Sequence, residues 1–159
     1  MNRALACCVA ACAIFSACAS APKTTKERNE LKEQAANTIR EMTTQDESLR
    51  PVLADAVGYV VFPEVGQGGF IVGGAQGKGV VYERGKAIGY AALSQASIGA
   101  QAGGQTFAQL IVFRDKAALE EMKEGNFNAS ATASAVIIKS GAATQTNFEK
   151  GQAVFIHPR

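Results

Sequence analysis

Nine glycines fall in the 28 residues from 58 to 85, GYVVFPEVGQGGFIVGGAQGKGVVYERG. Glycine at that density serves one of two ends. Either backbone amides approach a phosphate, or a sheet bends where side chains would collide. The spacing argues for the second. GGAQGKG holds Gly77-Lys78, as a phosphate-binding loop would, but Val72 stands where such a loop needs a glycine. Gly79 occupies the place of the Ser or Thr after the lysine, and VVYERG reads as strand and turn, not helix. A dinucleotide fingerprint fails for the same reason. The glycines read as turns and bends of a curved sheet. A second reading stays open at Lys78, Arg84 and Lys86, where glycine turns beside three cations can make a small anion site for a lipid headgroup. The same three cations also make an ordinary solvated edge.

From residue 57 onward, runs of β-formers alternate with glycine: VGYVVF, GFIVGGA, GVVYE, AIGYAAL, SIGAQAG, TFAQLIVF, SATASAVIIK and QAVFIHP. They predict an antiparallel meander, with ERGK around Gly85 as a hairpin turn. Several runs are apolar on both faces. In AQLIVF, Ala108, Leu110 and Val112 oppose Ile111 and Phe113. Such strands need cover on both sides. Upstream, Leu31, Ala35, Ile39 and Met42 form one apolar stripe and predict a helix over 26–43, capped by Thr24 or Thr25. Its charges balance, with six cations and six anions between Lys23 and Arg50. That favours docking on the sheet over lying on a bilayer. Short helices are predicted over 48–56, with Pro51 in the first turn, and over 116–123, capped by Asp115 and stopped by Gly125. The fold class is α+β: a curved antiparallel, partly barrel-like β-sheet with an N-terminal amphipathic helix and one or two short helices.

All four cysteines, Cys7, Cys8, Cys12 and Cys18, lie in the first 18 residues. Residues 1–17 read as a signal peptide: Arg3 gives a positive start, and an uncharged apolar stretch too short for a comfortable span follows. FSAC resembles a lipobox, which makes Cys18 the acylated N-terminus of the mature chain. An ordinary secretory signal cut after Ala19 or Ala21 is the alternative. Residues 18–25 then form a tether and 26–159 a single domain. Asp, the usual inner-membrane retention signal, is not at position 19. The expected location is therefore the outer membrane of a bacterial envelope, facing the periplasm.

The remaining residues exclude more than they assign. Net charge is only +2, which offers nothing to nucleic acid. No cysteine remains in 19–159 for a disulfide or a thiolate metal site. His157 is the single histidine and, two residues from the end in FIHPR, reads as a surface residue without a role. Asp55, Glu64 and Glu83 are isolated. No catalytic residues, metal or cofactor are expected, unless carboxylates distant in sequence meet in the fold.

The order of motifs resembles the SYLF domain family. The resemblance covers about 31–158. Ala56, Gly58, Val61, Phe62 and Pro63 match an opening strand, and Gly69, Phe70, Gly73, Gly77 and Gly79 match the glycine run that follows it. Ser97, Gly99, Gln101 and Gly103 match a later segment, and Asn128, Ala129 and Ser130 stand in the place of its D-A-S. The resemblance implies a lipid-binding module that is not an enzyme, and bacterial members are commonly exported or lipidated. GYAALSQAS departs from the family in lacking a proline. FIHPR stops where bacterial relatives typically continue with another glycine-rich strand pair, and a missing pair would leave an unpaired sheet edge. Together these readings give a non-catalytic, lipid-anchored envelope protein that binds membrane lipid or an envelope component. A protein-interaction or structural envelope module that ignores headgroups is the alternative.

Overall fold

The computed structural model describes residues 22–68, 72–98, 105–124 and 135–159. Cys18 and its lipobox, Gly69 to Ile71, Gly99 to Gly103, Gly125 and the segment from Asn128 to Ser130 lie outside the described residues.

Helix α1 (Thr25–Gln45) begins at Thr24, whose Oγ1 accepts from the Glu27 backbone N–H at 3.1 Å. It buries Leu31, Ala35, Thr38, Met42 and Thr43, so the apolar stripe read from sequence faces the sheet, with Ile39 half-buried beside it. Helix α2 (Leu49–Ala54) follows, with Pro51 in its first turn, where the missing N–H costs nothing. The strands are β1 (Gly58–Gly68), β2 (Val72–Glu83), β3 (Lys86–Ile98), β4 (Gln105–Phe113), β5 (Ala135–Ile137) and β6 (Gln152–Pro158). Helix α3 (Lys116–Lys123) lies between β4 and β5 in the chain, and its cap is Asp115, whose Oδ1 accepts from the Ala117 N–H at 3.0 Å.

The six strands form one sheet in the order β3-β2-β1-β4-β6-β5, partly curled but not closed into a barrel. Four of its pairings are antiparallel. The β5–β6 pairing is parallel, which corrects the all-antiparallel expectation. The connection from β5 to β6 is long enough to bring the chain back to the same end. Strand β6 has neighbours on both sides, and the sheet ends at β3 and β5. The described part of one expected run, Val72 to Ala75, and the next run, GVVYE, are continuous within β2. Gly77 and Gly79 do not turn the chain but pair with β3 through Leu93 and Ala91.

The sheet is buried on both faces, as its two-faced strands require. On one face, α1 and α2 cover Val61, Val80, Tyr82, Leu110, Val112, Ala153 and Phe155. On the other, Val60, Phe62, Val65, Val81, Ile111, Phe113 and Val154 gather with Leu119 of α3. Tyr59 and Tyr82 are cross-strand partners and stack at 4.9 Å.

The curl has a local origin. Register slips between Val61 and Glu64 against β2, and between Phe62 and Val65 against β4, so β1 carries an extra residue around Pro63. Proline has no N–H to give a ladder, and a bulge is the place a sheet tolerates it. The bulge changes which residues face which side. Val60 and Phe62 lie on the α3 face, and Val65, of opposite parity, lies there too. Opposite the bulge, β2 must leave room. A Cβ on Gly79 would sit 2.7 Å from the Phe62 ring and 2.8 Å from the Val61 carbonyl oxygen. A Cβ on Gly77 would sit 2.8 Å from the Glu64 carbonyl oxygen. These glycines keep β-region backbone and are required by close approach. Gly66 and Gly89, by contrast, have nothing within 4 Å of such a Cβ. Gly79→Ala is therefore expected to lower stability by about 2–3 kcal/mol, the usual penalty of overpacking. Gly66→Ala and Gly89→Ala should be neutral or slightly stabilising, and chemical denaturation of the three variants measures the contrast.

Candidate functional site

Arg84 and Lys86 belong to the tip of the β2–β3 hairpin. Arg84 and Gly85 form its two-residue turn with φ of 51° and 78°, the double positive φ of a type I′ connection, which matches the right-handed twist of the flanking strands. Glu83 and Lys86 face each other across the turn. Glu83 is already engaged: Lys123 of α3 donates to its carboxylate at 2.7 Å and to Glu120 at 3.0 Å. The hydrogen bond from Lys123, and then its charge, hold the Glu83 carboxyl below its ordinary pKa, and Lys123 is correspondingly raised. Arg84 and Lys86 are exposed and have no ion-pair partner among the described residues. Two residues beyond Lys86 stands Ile88, the extra residue of a second bulge between Ala87 and Gly89, at 50% exposure. Two free cations and a half-exposed isoleucine thus share one tip on the edge strand.

Lys78 is not part of that tip. It lies six residues up β2 from Arg84, roughly 20 Å at the rise of a strand. There it pairs in register with Glu64 and approaches the start of α1. The Glu27 carboxyl, lowered first by a hydrogen bond from the Lys23 N–H, is lowered further by the charge of Lys78. The structure therefore brings together Arg84 and Lys86 of the three cations singled out from sequence and leaves Lys78 beside the helix.

A second feature was not foreseen. The exposed side of α1 and the end of β6 enclose an open cleft of about 630 Å³, lined by Asn37, Arg40, Glu41, Thr44, Gln45 and His157. His157 follows Ala153 and Phe155 at two-residue intervals, so strand alternation turns it toward the helix. That alternation was the signal available in QAVFIHP. The Nδ1 atom of His157 is buried and meets no hydrogen-bond partner. Arg159 binds a residue of the cleft lining: its guanidinium donates to Thr38 Oγ1 at 3.1 Å and Glu41 Oε2 at 3.0 Å, and its backbone N–H donates to Thr106 O at 3.2 Å.

The helix wall of the cleft is fixed from below by Asp46, a buried carboxylate at the end of α1. Its Oδ1 accepts from Ser48 N–H at 3.0 Å, Ser48 Oγ at 2.5 Å and Gly141 N–H at 3.0 Å, and its Oδ2 accepts from Ala143 N–H at 2.8 Å. Burial opposes its charge, but the bonds from Ser48, Ala143 and Gly141 outweigh that cost and hold its pKa below the ordinary aspartate value.

No protein-family model matches the chain, and no curated protein matches it. Among the described residues, no three His, Cys, Asp or Glu side chains converge as metal ligands, and no helix is long and apolar enough to cross a membrane.

Because the folded pKa of Asp46 lies below its unfolded one, its contribution is full above the unfolded value and is lost as pH falls through the folded value. Asp46→Asn is expected to destabilise the fold by about 2 kcal/mol at neutral pH, by leaving a buried N–H without an acceptor. The gap between variant and parent should close as pH drops below 3.8, the ordinary value, in denaturation series run from neutral to acid.

Proposed function

We propose that this is a non-catalytic, lipid-anchored envelope protein of the SYLF-like kind, held by an acyl chain on Cys18 and touching the bilayer with the β2–β3 tip. The observation that supports this best is the tip itself. Arg84 and Lys86 are unpaired among the described residues, and Ile88 beside them is half exposed. Cations next to an exposed aliphatic side chain suit an anionic headgroup region, where the charges meet phosphates and the isoleucine reaches the acyl boundary.

Magnitudes assign the roles. Each basic residue near an anionic surface contributes about 1 kcal/mol, and burying the exposed part of Ile88 adds about 1 kcal/mol. A total of roughly 3 kcal/mol binds only weakly on its own. The anchor supplies residence, and the tip orients the domain once it is there. The distances permit this. The seven residues from Cys18 to Thr24 reach at most about 25 Å, against the roughly 20 Å along β2 between Lys78, beside the start of α1, and Arg84.

A second reading rests on a different observation. Ile137 is 60% exposed on the edge strand β5, where an extended partner segment can add to the sheet. In that case the protein is an interaction module of the envelope without headgroup preference.

The chain carrying Cys18→Ala is expected to float weakly with vesicles of phosphatidylglycerol and not with those of phosphatidylcholine. Binding should fall with salt as the Debye length shortens. Arg84→Ala with Lys86→Ala should abolish it, and Lys78→Ala should leave it nearly intact. A Cys18→Ala chain that ignores every headgroup in flotation overturns direct lipid contact and leaves the β5 edge as the better reading.

A further inference from the structure

We infer that the cleft between α1 and β6 is a binding site for a small carboxylate, with Arg40 and His157 as its two principal donors. The inference goes beyond the membrane reading, since it uses neither the hairpin tip nor the anchor.

The hydrogen bonds already made decide what the cleft has left to offer. Arg40 donates to Asn37 Oδ1, so the acceptor of Asn37 is spent while its amide N–H groups remain. The Thr44 hydroxyl has given its proton to the Arg40 carbonyl at 2.7 Å. The Glu41 carboxylate is paired with Arg159 at 3.0 Å, which neutralises the one acid lining the cleft. What faces the opening is donor-rich: the remaining N–H groups of Arg40 and the amides of Asn37 and Gln45.

His157 completes the set. Its Nδ1 is buried with no acceptor in reach. A proton there would be a buried donor left unsatisfied, which leaves Nε2 as the ring nitrogen free to donate. The imidazole then adds one more donor to the cleft. A metal ion does not suit this arrangement, because a guanidinium lines the cleft and only one imidazole is present. A planar carboxylate does, because the fork of an arginine matches its two oxygens and a second donor can approach from the side. Each of the six lining side chains carries a polar group, so the cleft can meet the anion itself, whatever body is attached to it.

The test is an NMR titration of the purified full-length chain with acetate, using acetamide as the uncharged isostere. Acetate is expected to shift the His157 ring and Arg40 side-chain resonances along a saturating curve, and acetamide is expected not to. Arg40→Ala lies on an exposed helix face, where alanine is well tolerated, and should weaken binding roughly tenfold, the loss of one charge-assisted bond. His157→Asn should weaken it by a smaller factor. Arg50→Ala removes the same charge outside the cleft and should leave the curve unchanged. Shifts that stay linear to about 0.1 M acetate, that appear equally with acetamide, or that respond to Arg50→Ala as strongly as to Arg40→Ala overturn the assignment. None of these outcomes depends on vesicles, so failure here and failure of the membrane reading are separable.

Discussion

The whole architecture depends on Phe62 having a place to lie. Its ring rests over Gly79, where a single methyl group would collide with both ring and backbone. That contact lets β1 take an extra residue at Pro63 without parting from β2. The bulge turns the sheet enough for Val60, Phe62 and Val65 to share one interior with Leu119, while Val61 remains under α1. Two hydrophobic interiors, one on each face, thus depend on side chains that β2 lacks. The burial itself is what stabilises the fold, at about 25 cal/mol per Å² of apolar surface removed from water. The glycines make that burial geometrically available.

Much of this was legible in the sequence because the patterns were local. The helix over 116–123 declared itself through Asp115 and the inward set around Leu119, and α1 through a four-residue repeat of apolar positions. The hairpin at Arg84 and Gly85 followed from turn chemistry. What failed depended on pairing at long range. Gly77 and Gly79 look the same in a string whether they break a strand or sit within it. Only the bulge on the neighbouring strand determines that they are interior. The parallel pairing of β5 with β6 leaves no trace in composition, because three residues of alanine, valine and isoleucine suit either direction.

The same limit applies to surfaces. Arg84 and Lys86 are neighbours both in sequence and in space, so the string alone groups them. Lys78 is near them only in sequence, since a strand carries it roughly 20 Å away. In the string His157 reads as a terminal residue, yet β6 is an interior strand of the sheet and α1 crosses beside its end. An isolated histidine gains meaning from what packs against it, and here that neighbour is more than a hundred positions earlier in the chain.

The interior position of β6 has a consequence for how such a molecule is made. Strand β4 finds one of its two partners in residues 152–158, and β5 has no other neighbour in the sheet. A polypeptide emerging N-terminus first can form the β1–β2–β3 meander early, but half of its framework must wait for a late segment to slot between two earlier ones. Assembly of that kind is dominated by distant contacts and is correspondingly slow. Until residues 152–158 have been delivered, β4 lacks one of its neighbours and β5 lacks any, so the second half of the sheet cannot close.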